Sequence, residues 1–355
     1  MQTTKPSAKQ TLVKKLVIHA PNVHGGGGAV LLKMLLSVLV DIPCVLQVDS
    51  RFVLPENCPT SIEVIRVKPS LLQRFVAERR LRKFSKTANA VLCFGNLPPL
   101  FKLHKDAVVF LQSRYSLGAP LSLLTFKLQL RIKLERLWLR WCYKNAAQYW
   151  VQTETMRQMA LGTFLKNCEI RVKPFFDRQL PKKTDAVSKK PSGVFRFIYP
   201  ASNEGHKNHL HLVKAWVLLA EVGHYPELQL TLDAKQESLL RAIVERKKLN
   251  IKFLGSLAHQ ELLYIYQSVD ALIFPSLFES YGLPLLEAAS VDLPIIASER
   301  DYVRDLVEPN QTFDPLSEVS IMRSVMRFMQ QKISRAEILS PQVFIKQLLN
   351  REISE

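Results

Sequence analysis

The residues best placed to do chemistry are two glutamates with seven residues between them in Phe274-Pro-Ser-Leu-Phe-Glu279-Ser-Tyr-Gly-Leu-Pro-Leu-Leu-Glu287-Ala-Ala. The spacing predicts a buried strand ending at Pro275, a loop carrying Glu279 and the flexible Gly282, and a helix opening near Pro284. Amides at the start of a helix point away from it with no partner inside it, so those of Tyr281, Gly282 and Leu283 could cradle a diphosphate without a metal. Two carboxylates beside an anion site repel the anion unless they have hydrogen-bond donors of their own. Sugar and ribose hydroxyls supply such donors, and a sugar nucleotide carries both kinds of group.

A second backbone cradle is Gly25-Gly26-Gly27-Gly28, which follows the apolar run ending at Ala20 and precedes a helical pattern. Without side chains, Gly26 and Gly27 would let the main chain approach donor phosphates or an acceptor closely. A dinucleotide-binding dehydrogenase also opens with strand, glycines and helix. Four consecutive glycines followed by Ala29-Val30 do not reproduce the spaced GxGxxG of that loop, and Asp49 at the end of the next strand candidate is thin support. His206, His209 and His211 do not share one helix face and lack a matching Cys or carboxylate cluster, so no metal site is assigned. Cysteines 44, 58, 93, 142 and 168 are odd in number, scattered and without a CxxC pair, and are read as reduced thiols.

The elements that must position these groups follow an α/β rhythm. Strand candidates at 15–20, 44–48, 62–67, 90–94, 107–112 and 148–152 alternate with helical segments in the first half. The polar, basic, Pro- and Ser-containing stretch from Arg171 to Gly193 has the composition of a linker. Strands at 194–199, 228–233, 251–254, 271–275 and 294–298 then alternate with helices at 210–221, 237–248, 261–268 and 284–290. The expected organisation is a Rossmann-like N-terminal domain over 1–175 that binds acceptor and a linker over 176–193. A Rossmann-like donor-nucleotide domain over 194–335 follows, then a C-terminal helix over 336–355 that returns to the first domain. Ligands of such sheets bind at the carboxyl ends of the strands, here in the cleft between the halves.

At 355 residues, 47% of them apolar, the chain has material for two cores. It has no uncharged apolar run long enough to span a bilayer and no secretory leader pattern, so a cytoplasmic location is expected, extending to a peripheral seat on the cytoplasmic face of the inner membrane. A net charge of +18 favours polyanionic surroundings. The cations concentrate in two places. One is a long amphipathic helix expected over 121–144, where Lys127, Arg131, Lys133, Arg136, Arg140 and Lys144 interrupt Leu, Phe, Ile and Trp. The other is a cluster from Arg74 to Lys86, read as a solvated face that could join the first in docking on anionic lipid.

The stretch FPSLFESYGLPLLEAAS resembles the donor signature of the retaining GT-B glycosyltransferases of family 4. The likeness continues upstream through Ile251-Lys-Phe-Leu-Gly255 and Glu261 to Tyr266, and downstream through Leu293 to Ser298, covering about residues 194–316. It implies that Glu279 acts at the reaction centre on donor-sugar hydroxyls, that the amides of Ser280, Tyr281, Gly282 and Leu283 hold the diphosphate, and that Glu287 binds the ribose. It also implies diphosphate contact by Lys207, while the place of the family's accompanying Arg holds Ser202. Many relatives present a histidine near the centre from an N-domain strand end; Phe110 to Tyr115 contains none, and no protein base is assigned. The activity implied is metal-independent, cofactor-free, retaining transfer of a hexose-type sugar to a saccharide acceptor, lipid-linked, in surface polysaccharide or lipopolysaccharide assembly. No nucleic-acid partner is expected. The rival from another class is a basic protein that binds membrane or RNA on a transferase fold without turnover.

Overall fold

The computed structural model describes residues 15–122, 124–177 and 193–330. The first strands are β1 (Leu16–Ala20), β2 (Cys44–Asp49), β3 (Ile62–Val67), β4 (Ala90–Phe94), β5 (Ala107–Leu111), β6 (Gln148–Val151) and β7 (Glu169–Val172). They form one parallel sheet in the order β3-β2-β1-β4-β5-β6-β7. Its helices are α1 (Gly26–Ser37), α2 (Leu71–Phe84), α3 (Phe126–Cys142) and α4 (Glu154–Leu161).

The second parallel sheet comprises β8 (Arg196–Tyr199), β9 (Glu227–Leu230), β10 (Ile251–Phe253), β11 (Ala271–Phe274), β12 (Ile295–Ser298) and β13 (Gln311–Phe313), in the order β10-β9-β8-β11-β12-β13. Around it lie α5 (His209–Glu221), α6 (Ala234–Lys247), α7 (His259–Ser268), α8 (Leu283–Ser290), α9 (Asp301–Arg304) and α10 (Glu318–Phe328). Helices cover both faces of a parallel sheet, so its central strands are continuous apolar runs rather than alternating ones. Every residue of β11 and of β2 is buried.

In each sheet the strand order reverses once, between β1 and β4 and between β8 and β11. Successive crossovers leave in opposite directions at such a point, and the loops after its two strands part to open a crevice. Both crevices face the same cleft: Asn22 to Gly28 follow β1, Gly95 and Asn96 follow β4, Pro200 to Lys207 follow β8, and Glu279 to Gly282 follow β11.

Several local expectations are corrected. The first helix begins at Gly26, inside the glycine run rather than after it, and three of the four glycines enter its first turn. Gly26 takes the left-handed φ of +64°. The basic helix runs from Phe126 to Cys142, and a 3-10 turn takes Tyr143 to Asn145. The cations from Arg74 to Lys83 lie on α2, which also buries Ala77, Glu78 and Leu81, and Lys86 follows its end. The edge strand β7 occupies the start of the stretch with linker composition, and β13 was not anticipated. Of the cysteines, Cys44 and Cys93 are buried, while Cys58, Cys142 and Cys168 are partly exposed; all five are free thiols. Residues 178–192 of the linker and the expected helix over 336–355 lie outside the described residues.

One polar network sits inside the first domain. His19 on β1 lies 2.6 Å from Gln47 Oε1 through Nδ1 and 3.0 Å from Glu78 Oε1 through Nε2. Glu78 also accepts from Arg74 Nε at 3.0 Å and from the Leu100 amide at 2.9 Å. Burial alone would push the Glu78 carboxyl up, but His19, Arg74 and the Leu100 amide outweigh it and hold the group at about 2.

Candidate active site

The loop after β11 is built by the loop after β8. Tyr199 donates its hydroxyl to the Lys207 carbonyl at 2.8 Å and meets Ser276 Oγ at 2.9 Å, while Tyr302 donates to the Ser276 carbonyl at 2.8 Å. The Leu277 amide donates to the His206 carbonyl at 2.8 Å. Asn208, in the left-handed region at φ +63°, spans Pro275 and Pro315 with its side-chain amide. Lys207 therefore leaves a fixed turn, and its Nζ stands 2.7 Å from Glu279 Oε1 with both side chains largely shielded.

Gly282 caps α8 with φ +79°, a conformation that side-chain-bearing residues resist, and Pro284 occupies a first-turn position whose missing N–H costs nothing. The start of α8 thus lines the cleft through Tyr281, Gly282, Leu283 and Pro284. One turn further, Glu287 is 3% exposed, with Oε1 2.9 Å from His259 Nε2 and Oε2 accepting from Tyr266 Oη at 3.1 Å. The Glu287 carboxylate raises the pKa of His259 above its ordinary value through that hydrogen bond. His259 and Tyr266 come from α7 and were not singled out in the sequence; only their position in the segment leading to the signature hinted at them.

The N-terminal domain closes the same loop from the other side. Its Arg114 amide donates to Ser280 Oγ at 3.0 Å, and the Arg114 guanidinium lies 5.1 Å from the centre of the Phe278 ring. Burial lowers the pKa of that guanidinium. Tyr281 donates to the Phe175 carbonyl at 3.0 Å, and burial lifts its phenol to about 12. Tyr281 and Leu283, although carried by the second half, pack in the apolar core of the first domain with Ile18, Phe94 and Phe110. A Cβ on Gly27 would stand 3.3 Å from Leu283 Cδ1, so the glycine loop permits this contact. Gly27 lines the cleft, whereas Gly26 does not and has nothing near its Cβ direction.

The resulting cavity has a volume of about 680 Å³, within the range of small-molecule sites, and brings together Gly27, Lys207, Glu279, Ser280, Tyr281, Gly282, Leu283 and Glu287. Its first-domain wall includes four neutral side-chain amides, those of Asn22, Asn96, Gln112 and Gln152. Asn22 donates to the Gly95 carbonyl at 2.8 Å, and Asn96 Oδ1 accepts from the Gln112 amide at 2.5 Å. The Nε2 atoms of Gln112 and Gln152 are buried without a hydrogen-bond partner among the described residues. These residues escaped the sequence reading because each stands alone at a strand end and acquires meaning only beside the others. Arg131 and Glu135 of α3, joined at 2.8 Å, also line the cleft.

The histidines near Lys207 are engaged separately. His206 stacks on Phe278 with ring centres 4.7 Å apart, His209 lies 4.9 Å from the Tyr199 ring, and His211 faces Glu318. Among the described residues no group of three or more His, Cys, Asp or Glu could hold a metal ion, and no helix is long and apolar enough to cross a membrane.

Two parallel α/β domains facing one cleft, with a phosphate-type cradle and paired acids in the second, define a GT-B architecture. Residues 182–340 match the family model of the glycosyl transferases group 1. The chain is 27% identical over 138 residues to the O-antigen chain mannosyltransferase B of Escherichia coli, a match covering 38% of this chain and 36% of that protein's length. Two solved structures share the fold over 89% of this chain and 90% of their own. WaaG, a glycosyltransferase involved in lipopolysaccharide biosynthesis, has a TM-score of 0.65 at 14% identity. Anabaena HepE in complex with UDP and glucose has a TM-score of 0.67 at 14% identity.

Proposed function

We propose that the protein transfers a hexose-type sugar from a nucleoside diphosphate sugar to a saccharide acceptor, with retention of anomeric configuration and without a metal, in surface polysaccharide or lipopolysaccharide assembly. The observation that carries this reading is the convergence of Lys207, Glu279 and Glu287 on the α8 N-terminus inside one cleft closed by both domains. The α8 amides and Lys207 suit a diphosphate. Glu287, buried but reaching the cleft, suits ribose hydroxyls, and Glu279 suits those of the sugar. The neutral amide wall of Asn22, Asn96, Gln112 and Gln152 suits acceptor hydroxyls, because amides both donate and accept without adding charge beside the diphosphate.

In the proposed reaction the bond from the anomeric carbon to the diphosphate oxygen breaks as the acceptor oxygen attacks on the same face. The acceptor proton passes to the departing diphosphate. The protein contributes position and electrostatic stabilisation of the developing charge on that leaving group. The kinship of the second half to group 1 transferases and to an O-antigen mannosyltransferase supports a saccharide acceptor, and a lipid-linked one agrees with the basic surface.

The test is calorimetric titration of UDP, GDP, ADP, dTDP and CMP into the protein with a chelator present, repeated on Glu287→Ala. Selective binding of one nucleotide, lost in the variant, is the expected outcome. Absence of binding to every nucleotide would overturn the reading.

A further inference from the structure

The second-domain side of the cleft is short of positive charge. A nucleoside diphosphate sugar brings a negative charge on each phosphate, and Glu279 and Glu287 already line the cavity. Against them that domain sets Lys207, whose Nζ stands 2.7 Å from Glu279 Oε1, and His259, hydrogen-bonded to Glu287. The start of α8 contributes partial charge only. Ser202 lines the same wall but is neutral, and its hydroxyl donates to Glu204. A single lysine tied to an acid leaves most of a diphosphate's charge uncompensated, and a charge taken out of water needs a partner.

A further cation is available from the other domain. Among the described residues that line the cleft, the only arginine is Arg131 of α3. It precedes Glu135 by one helical turn, and the two meet at 2.8 Å, with the Arg131 side chain half exposed and Glu135 largely shielded. Ile132 and Leu139 bury the adjacent side of the helix. Arg136 fastens it to the loop after β5, donating to the Tyr115 carbonyl at 2.7 Å and the Ala119 carbonyl at 2.6 Å. Tyr115 then crosses to the second domain. Its Oη lies 3.3 Å from His206 Nδ1, and its ring meets that of Phe278 edge-on with centres 5.7 Å apart. His206 directly precedes Lys207, and Phe278 directly precedes Glu279. Through one tyrosine, α3 is therefore tied to both loops that carry the Lys207–Glu279 pair. The two ion pairs match, a cation resting on a carboxylate at each wall of one cavity. Such a cation can exchange its carboxylate for a phosphate without being left alone, and a guanidinium can do so with two parallel hydrogen bonds.

We propose that Arg131 is a second diphosphate-binding cation, supplied across the cleft by the first domain, and that Glu135 holds its guanidinium until a phosphate takes the carboxylate's place. The proposal rests on the nucleotide-sugar reading above and extends it, because the donor is then clamped from both domains, by Lys207 on one side and Arg131 on the other. The ties of α3 run to the Glu279 end of the site, so the phosphate that meets Arg131 is the one bonded to the sugar. Positive charge is thereby placed where negative charge develops as the sugar departs.

The experiment is calorimetric titration of the full chain with UDP, GDP, ADP and dTDP and with the matching monophosphates, on the wild type, Arg131→Gln, Arg131→Lys and Glu135→Gln. The wild type is expected to prefer the diphosphate of one base. Arg131→Gln should lose roughly tenfold or more in affinity for that diphosphate, the scale of a hydrogen bond to a charged group, and should bind the monophosphate within about twofold of the wild type. Arg131→Lys should recover part of the loss, keeping the charge without the planar fork. Glu135→Gln should bind the diphosphate more tightly, because it removes a competing acceptor and a like charge; damage to the helix would not produce a gain. All three variants should melt as the wild type does, since a half-exposed pair contributes little to stability. Undiminished diphosphate affinity in Arg131→Gln overturns the proposal while the donor site stands. So does a loss shared equally by diphosphate and monophosphate, or a higher KM for acceptor alone, which would give the pair to the acceptor. A wild type that binds none of the nucleotides overturns the proposal and the donor reading together.

Discussion

Lys207 Nζ lies 2.7 Å from Glu279 Oε1, so the cation expected to meet the diphosphate and the acid expected to meet the sugar are hydrogen-bonded to one another. A diphosphate entering this site must compete with Glu279 for the lysine. Glu279→Gln is therefore predicted to tighten binding of the bare nucleoside diphosphate while lowering the turnover number for sugar transfer by about 100-fold, the scale of one lost transition-state contact. Lys207→Met should weaken the nucleotide by roughly 1.5–3 kcal/mol, the value of a hydrogen bond to a charged group. Calorimetry and steady-state rates on the two variants separate these effects.

His259 and Glu287 supply a pH dependence whose sign is fixed by geometry. The hydrogen bond from His259 to the carboxylate raises the folded-state pKa above 6.5, so the stabilisation is fully present below 6.5 and disappears as pH rises through the raised value. Thermal melting of the wild type should lose this increment on the alkaline side, and His259→Gln should flatten the profile there. A profile unchanged by that substitution would show that the pair contributes nothing to stability.

Glu78 gives the opposite sign at the acid end. Its carboxyl sits at about 2 instead of 4.5, so its contribution is complete above pH 4.5 and is lost as pH falls toward 2. Glu78→Gln leaves Arg74 without its buried counter-charge and should destabilise by about 3–5 kcal/mol, with a weaker acid dependence. Denaturant titrations across the acid range check both statements.

Gly95 controls the amide wall. A Cβ there would fall 2.2 Å from Asn22 Oδ1, so Gly95→Ala must displace the Asn22 side chain from the cleft. The expected result is a loss of about 1–3 kcal/mol in stability, the usual range for overpacking. A higher KM for acceptor with little change in nucleotide affinity should accompany it. An equal loss of nucleotide affinity would place Asn22 in donor rather than acceptor binding.

The donor half of this site was legible in the sequence because its parts are local. A strand, a loop acid, a left-handed glycine and a helix acid follow one another from Phe274 to Glu287, and backbone geometry converts that order directly into a pocket. The first-domain wall was not legible for the opposite reason. Asn22, Asn96, Gln112 and Gln152 follow four different strands and meet only because β1, β4, β5 and β6 lie side by side in the sheet. Edge strands β7 and β13 are short, and β13 has only one fully buried residue. The hydrophobic period that identifies central strands is correspondingly weak there. In α2 a dense run of cations concealed Glu78, whose burial depends on His19 and Arg74 rather than on any apolar pattern.

The burial of Tyr281 and Leu283 in the core of the first domain also bears on how the chain is made. When residues 15–177 have left the ribosome, more than a hundred further residues must be synthesised before these two side chains emerge. Throughout that interval the nascent first domain carries an open socket beside Phe94, Phe110 and Phe175. Its completion is a late event of translation, and a fragment released early would present that sticky surface to chaperones.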